Sequence, residues 1–199
     1  MLSGSPLNFR DQLAFYGAYH TNKVNVAIHI VCVPIIWMTS LTLLHHADVT
    51  FPLGHLSAQV PEQVVPHLNL AALVAALYWI YYMILDVPTA LLIAPVWVTY
   101  YVVAWHLERI PHGIPIAISL FVFSWVAQFY GHGAHEGRAP ALLDNLFGAI
   151  VLAPLFVFVE VLFFFGYAPE LQRWLKNTTG RIITDLHTQQ AAEKRVKGQ

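Results

Sequence analysis

The sequence predicts an all-α, polytopic membrane protein with four spans and a fifth hydrophobic element that is Pro-broken or re-entrant. Two features of the composition predict this fold class: 57% of the 199 residues are hydrophobic and only 11% are charged, whereas soluble domains carry about 25% charged residues. A third is a series of apolar runs close to the ~20 residues that a helix needs to cross a bilayer. We therefore expect the chain to lie in lipid.

The first three apolar runs are predicted to be spans. Residues 24–44 form a run long enough to cross a bilayer. Residues 68–85 and 88–105 are shorter runs on either side of Asp86 and Pro88, residue types that favour a turn between helices. The second and third runs are therefore expected to form a tight helical hairpin.

The sequence predicts a full crossing of the bilayer for the fourth apolar run but not for the fifth. Residues 114–130 follow Pro111 and Gly113, which suit a loop and a helix start, and are predicted to be the fourth span. Residues 146–167 contain Pro154 near their middle. This fifth run is expected to be kinked, re-entrant or placed on the membrane interface.

Basic residues predict the orientation, because Lys and Arg accumulate in cytoplasmic loops. The N-terminal segment has Arg10 and Lys23. The C-terminal segment carries Arg173, Lys176, Arg181, Lys194, Arg195 and Lys197. Both termini are therefore expected to be cytoplasmic, which requires an even number of crossings and favours four full spans over five.

The composition also excludes several partner and fold classes. The formal net charge is −1 and no long basic tract occurs, so nucleic acid is not an expected partner, whereas membrane lipids are. Cys32 is the only cysteine, which excludes an intramolecular disulfide. We expect residues 1–176 to form one helical membrane domain with a metal site, followed by a polar C-terminal tail, residues 177–199.

The chain has eleven histidines; His187 lies in the polar tail, and the predicted topology divides the other ten between the two sides of the membrane. The cytoplasmic group is His20, His29, His132 and His135. The opposite group is His45, His46, His55, His67, His106 and His112, for which solvated, interfacial or structural roles are sufficient. A metal site must draw its ligands from one group.

One polar cluster lies at the entry to the first run. Asn25 and His29 are four residues apart and share a helical face. His20 and His29 are nine apart and would point to opposite faces of one continuous helix. They can converge only if the chain bends between them, where Asn22 and Asn25 could serve as cap or turn residues. For His29 alone, a hydrogen bond to a neighbour remains an alternative to metal ligation.

A second polar cluster, residues 128–145, follows the fourth run and contains three glycines. His132 has the i, i+3 spacing with His135 and the i, i+4 spacing with Glu136 that suit ligands on one helical turn. The alternative is a polar interfacial loop in which Glu136 pairs with Arg138. Together the two clusters offer the nitrogen donors of a mononuclear site, although imidazole suits Fe, Zn, Cu and Ni alike.

Glu160 places a carboxylate within the fifth apolar run. Such a group is expected to be neutral, paired or next to a water-filled cavity. Structural pairing and support of a ligand histidine both remain open.

The two clusters resemble the fungal endoplasmic-reticulum 2-hydroxy fatty acid dioxygenases and their bacterial and plant relatives. The resemblance is carried by residues 13–20, 25–34, 128–132 and 136–145, and it continues through Ala153 and Pro154 to Glu160. Both ends of the chain therefore match this family, while the middle is diverse.

The resemblance implies an Fe(II)-dependent enzyme of the endoplasmic reticulum membrane that uses O2 to shorten a 2-hydroxy fatty acid by one carbon, the α-oxidation step of phytosphingosine breakdown. His20, His29 and His132 match the catalytic, iron-binding histidines of the family, and His135 is a fourth metal candidate at a position where many relatives have another residue. The expected supporting or substrate-binding residues are Asn25, Glu136, Arg138, Glu160 and Lys23. A 2-hydroxy acid can chelate iron through its hydroxyl and one carboxylate oxygen.

Two other functions remain as alternatives. One is a di-iron lipid hydroxylase, but members of those families resemble one another in carrying HxxxH and HxxHH boxes. No such box occurs in this sequence. A non-catalytic membrane lipid-binding or scaffold protein would use the histidines only for interfacial hydrogen bonds.

Overall fold

The computed structural model describes residues 4–47, 49, 69–137 and 146–197. Within these residues the secondary structure is helical, with no strand. The helices are α1 (Phe9–Tyr19), α2 (Lys23–His46), α3 (Leu70–Leu85), α4 (Val87–Arg109), α5 (Gly113–Tyr130), a π-helix (Gly131–Glu136), α6 (Leu146–Phe164) and α7 (Pro169–Lys197). The predicted all-α, polytopic class is confirmed.

Three of the helices are long and apolar enough to cross a membrane: α2, α4, and α5 together with the π-helix that continues it. Helix α3 is apolar but has only 16 residues, or about 24 Å at 1.5 Å per residue, against a hydrocarbon core of about 30 Å. A fourth candidate span is the pair formed by α6 and α7. The predicted apolar runs therefore correspond to helices, and α3, the helix of the second run, is the shortest of these helices.

Of the alternatives for the fifth element, a break at Pro154 is not observed, whereas a bend typical of a broken span or a re-entrant loop is. Helix α6 continues through Pro154 and ends at Phe164, and its axis and that of α7 differ by 117° across the break. The turn uses positive φ angles at Gly166 (84°) and Ala168 (44°). Glycine adopts this conformation at little cost because it lacks a Cβ, so the chain turns there, whereas Pro154 is accommodated inside the helix.

The chain divides into two compact units, residues 28–130 and residues 1–27 with 131–199. In the first, α3 and α4 form the predicted hairpin. Asp86 is both the C-cap of α3 and the N-cap of α4, and its carboxylate accepts from the Thr89 amide at 3.0 Å. This arrangement satisfies backbone groups at two helix ends with one residue.

Aromatic side chains fill the interior of the unit formed by residues 28–130. The Trp37 and Trp97 rings stack with centroids 4.3 Å apart. Trp97 Nε1 donates to the Ala75 carbonyl at 2.9 Å, and Tyr82 is fully buried against the Trp97 ring. These contacts join α2, α3 and α4.

In the other unit, α1 packs on α6 and α7. Asn8 caps α1 by accepting from the Asp11 amide at 3.1 Å. Helix α6 buries Leu152, Leu155, Phe156, Val159 and Phe163, an i, i+3, i+4, i+7 pattern on one face. Helix α7 runs without interruption through residues 176 and 177, the boundary predicted between a membrane domain and a polar tail. That division stays a prediction.

Candidate metal centre

The chain bends between His20 and His29, as their convergence requires. Helix α1 ends at Tyr19, and its C-cap His20 has φ −132° and ψ 69° and donates its amide hydrogen to the Gly17 carbonyl at 3.3 Å. Helix α2 begins at Lys23. Asn22 caps it, because its side-chain oxygen accepts from the Val24 amide at 2.9 Å. The predicted capping role of Asn22 is confirmed.

Local contacts fix the orientation of the His20 imidazole. Nδ1 lies 2.8 Å from the Tyr16 carbonyl oxygen, and a carbonyl only accepts, so Nδ1 carries the proton. Nε2 then keeps its lone pair, the arrangement typical of a metal-binding histidine whose other nitrogen is held by the backbone. The Tyr16 ring stacks on the imidazole with centroids 3.9 Å apart and planes 15° apart.

Three histidines come together at this bend. His29 lies on α2 and is 3% exposed, and His132 lies on the π-helix and is 4% exposed. The His20 and His132 rings meet edge to face with centroids 5.0 Å apart. One nitrogen from each of the three lies within 4.8 Å of the others. Short π-helical segments are often found at functional sites.

Glu136, at the end of the π-helix, is bonded to the bend itself. Its carboxylate accepts from the Thr21 amide at 2.9 Å, from the Thr21 hydroxyl, from the Asn22 amide at 3.0 Å and from Asn25 Nδ2 at 3.1 Å. An ionised carboxylate suits this role because it offers only acceptors. Glu136 therefore ties the segment that carries His132 to the turn that carries His20.

The other described residues that the sequence predicted at the site do not belong to the group of three converging histidines. His135 lies on the same π-helix as His132 but is not one of the three histidines that converge. Lys23 is exposed at the start of α2. Glu160 is partly buried on α6, where its charge acts on Tyr16 and is acted on by Lys176. Arg138 lies outside the described residues.

Sequence reasoning missed Tyr16. Its side chain is 6% exposed, and burial raises the pKa of its hydroxyl well above the ordinary value of 10.0, with a further increase from the Glu160 and Glu136 carboxylates. The phenol is therefore neutral and keeps its proton. The signal available in the sequence was the i, i+4 spacing of Tyr16 and His20 on one helix.

Histidines of the predicted opposite group have other partners. His45 Nδ1 lies 3.0 Å from Asn69 Nδ2, and His46 lies 3.6 Å from Glu108. His106 packs against the Trp105 ring. His55 and His67 lie outside the described residues. His45, His46 and His106 thus have structural contacts outside the candidate site, as expected.

The three converging histidines fit a metal ion. A zinc-bound histidine nitrogen lies about 2.0–2.1 Å from the metal, so two such ligands are at most about 4.2 Å apart. The observed limit of 4.8 Å exceeds this by an amount that small side-chain rotations remove. Three neutral imidazoles suit iron among other metals and leave coordination positions open.

These features define the class of protein: a polytopic helical membrane protein with a cluster of three histidines, two of them buried and one partly buried. The chain belongs to the Mpo1-like family, because the family model described as "2-hydroxy-palmitic acid dioxygenase Mpo1-like" matches residues 7–165. It is 34% identical over 175 residues to the 2-hydroxy-palmitic acid dioxygenase MPO1 of Saccharomyces cerevisiae, which covers 86% of this chain and 89% of the yeast protein. No solved structure matches. The predicted family and the predicted class of enzyme, an oxidoreductase, are confirmed.

Proposed function

We propose that this protein is an Fe(II)-dependent dioxygenase that shortens 2-hydroxy fatty acids by one carbon, the α-oxidation step of phytosphingosine breakdown. The observation that carries the proposal is the convergence of one nitrogen from each of His20, His29 and His132 within 4.8 Å at buried or partly buried positions. Membership of a family of 2-hydroxy-palmitic acid dioxygenases supports the substrate class. In the balanced reaction one O2 converts the acid into a fatty acid one carbon shorter, CO2 and water.

His20, His29 and His132 would hold the iron, and His135 remains a fourth candidate ligand. Bound iron would supply the redox and Lewis-acid chemistry that lets O2 react with a chelated 2-hydroxy acid. The chain fixes the ligands: the Tyr16 carbonyl orients His20, and Glu136 holds the bend through Thr21, Asn22 and Asn25. Lys23, Arg138 and Glu160 stay proposed as substrate-binding or supporting residues.

The proposed location is the endoplasmic reticulum membrane, with both termini in the cytoplasm. The apolar helices support the membrane assignment, and the basic residues near both ends support the orientation. The proposed partners are a 2-hydroxy fatty acid, O2 and membrane lipids.

The test is metal quantification on the purified full chain, followed by anaerobic loading with Fe2+ and 2-hydroxypalmitate and then addition of oxygen. We expect about one iron per chain and an acid one carbon shorter. Replacing His20, His29 or His132 by Ala should remove iron binding and chain shortening. His106→Ala is the matched control, because His106 is exposed and packs on Trp105.

Three outcomes would contradict the proposal. Retained activity in any two of the histidine variants would exclude this ligand set. Two irons per chain would favour a di-iron lipid hydroxylase. Protein without stoichiometric metal that is also insensitive to chelator would favour a non-catalytic membrane lipid-binding or scaffold protein.

A further inference from the structure

The Tyr16 hydroxyl is buried without a hydrogen-bond partner among the residues that the structure describes. The whole side chain is only 6% exposed, so bulk water has little access to it. A buried hydroxyl that has lost its hydration and gained no hydrogen bond destabilises the folded state. Such a group is expected to acquire its partner from a molecule that binds beside it.

The position of Tyr16 places this hydroxyl beside the three-histidine centre. Its ring lies flat on the His20 imidazole with centroids 3.9 Å apart, and its other neighbours include the Phe156 ring at 5.1 Å. The Glu136 and Glu160 carboxylates both act on the hydroxyl electrostatically. The hydroxyl therefore belongs to the same small region as the proposed iron ligands.

The described charged groups near the Tyr16 hydroxyl indicate which hydrogen-bond donor can bind an anionic ligand there. Glu136 accepts hydrogen bonds from backbone, hydroxyl and amide groups that are all neutral. Lys23 and Lys176 are exposed. A phenol has a pKa near 10 and remains a proton donor at neutral pH. A hydrogen bond from a neutral hydroxyl to a carboxylate is charge-assisted and is shorter and stronger than one between neutral groups.

We propose that the Tyr16 hydroxyl binds substrate by donating a hydrogen bond to the carboxylate of the 2-hydroxy acid. This assignment rests on the proposed function, whose substrate class it uses. It explains why a polar group is kept in an apolar contact between α1 and α6. It also makes Tyr16 a determinant of specificity for acids over the corresponding alcohols.

The test compares the wild-type full chain with Tyr16→Phe, which retains the ring and removes only the hydroxyl. Both proteins are loaded with Fe2+ under anaerobic conditions, and the Kd for 2-hydroxypalmitate is measured by calorimetry. We expect binding about 10–100-fold weaker in the variant, the range for losing a hydrogen bond to a charged group. Binding of 1,2-hexadecanediol, which has no carboxylate, should be equal in the two proteins.

Two further measurements separate this role from a structural one. The iron content of Tyr16→Phe should equal that of the wild type, and its Tm should not fall, because the hydroxyl has no hydrogen-bond partner to lose among the described residues. Tyr19→Phe is the matched control: it removes a hydroxyl from the same helix, where the Tyr19 ring packs on Phe15 instead. This control should bind 2-hydroxypalmitate as the wild type does.

Equal affinity of Tyr16→Phe and wild type for 2-hydroxypalmitate would overturn the assignment. A lower iron content or a lower Tm would also overturn it, since the hydroxyl would then be structural. If the wild type binds the acid but does not shorten it when oxygen is added, the proposed function fails while the affinities still decide the role of Tyr16. If the wild type does not bind the acid, both proposals fail.

Discussion

Among single residues, Glu136 has the most specific set of partners at the candidate site. In the part of the chain that the structure describes, its carboxylate accepts hydrogen bonds from donors of Thr21, Asn22 and Asn25. Asn25 is fully buried. Because both carboxylate oxygens are used, no orientation of a neutral amide can replace them without placing an N–H opposite another N–H or a hydroxyl.

Glu136→Gln should therefore weaken both the fold and the metal site. The loss of acceptor capacity is expected to cost about 1–3 kcal/mol, seen as a lower Tm in detergent. Iron affinity should fall about 10–100-fold, the usual effect of losing a group that positions metal ligands. The measurements are thermal unfolding and competition for Fe2+ with a chelator of known affinity.

Glu108→Gln is the matched control for this substitution. Glu108 pairs with Arg109 at 3.1 Å and with His46 at 3.6 Å, and such ion pairs near the surface contribute about 0–1 kcal/mol. Its iron affinity should be unchanged. Wild-type iron affinity in Glu136→Gln would show that the bend holds the histidines without the carboxylate.

At the scale of elements, the packing of α1 on α7 depends on one small residue. A Cβ at Gly17 would lie 2.7 Å from Thr179 Cγ2 and 3.1 Å from Leu175 Cδ1. Thr179 is itself held, because its hydroxyl donates to the Leu175 carbonyl at 2.9 Å. The close approach of these two helices holds α1, and with it His20 at its end, against α7.

Gly17→Ala should destabilise the protein although alanine is the better helix former. We expect overpacking to cost about 1–3 kcal/mol, more than the 0.5–1 kcal/mol, roughly, that alanine contributes in a helix interior. The measurement is the shift in Tm. Adding Thr179→Ser, which removes the methyl group that is overlapped, should restore part of the lost stability.

Gly180→Ala provides the control on α7. A Cβ at Gly180 meets nothing within 4 Å, so this substitution should raise the stability by about 0.5–1 kcal/mol. If Gly17→Ala raised the Tm as Gly180→Ala does, the two helices would not be in the close contact described.

At the scale of the whole molecule, the proposed topology depends on how many helices cross the bilayer. The structure provides α2, α4 and α5 as long apolar helices, the shorter α3 and the bent pair of α6 and α7. If α2 to α5 all cross and the bent pair does not, the two termini lie on the same side.

Single cysteines introduced into a Cys32→Ala background test this topology. Ser5→Cys and Thr188→Cys, both at exposed positions, should react with a membrane-impermeant maleimide in sealed vesicles whose cytoplasmic face is outward. Ile110→Cys, between α4 and α5, should react only after the vesicles are permeabilised. Labelling of only one terminus before permeabilisation would require an odd number of crossings.

Much of the candidate site was predictable because its ligands lie in two short polar clusters beside apolar runs. The sequence also showed that His20 and His29 need a bend between them, since nine residues place them on opposite faces of one helix. It did not predict α1 as a helix, and for the fifth element it left a break at Pro154 and a re-entrant path as alternatives. The structure places that break at Gly166 to Ala168, where the backbone adopts positive φ.

The sequence by itself determined the all-helical membrane class and the positions of most helices, because composition and spacing are local properties. The choice of His20, His29 and His132 as candidate ligands came from the resemblance to the family. Only the tertiary structure decided that Glu136 bonds the bend and that the Tyr16 hydroxyl is buried without a hydrogen-bond partner in the described part of the chain. The physical reason is that periodicity indicates which face of a helix is apolar but does not indicate which distant segment packs against it.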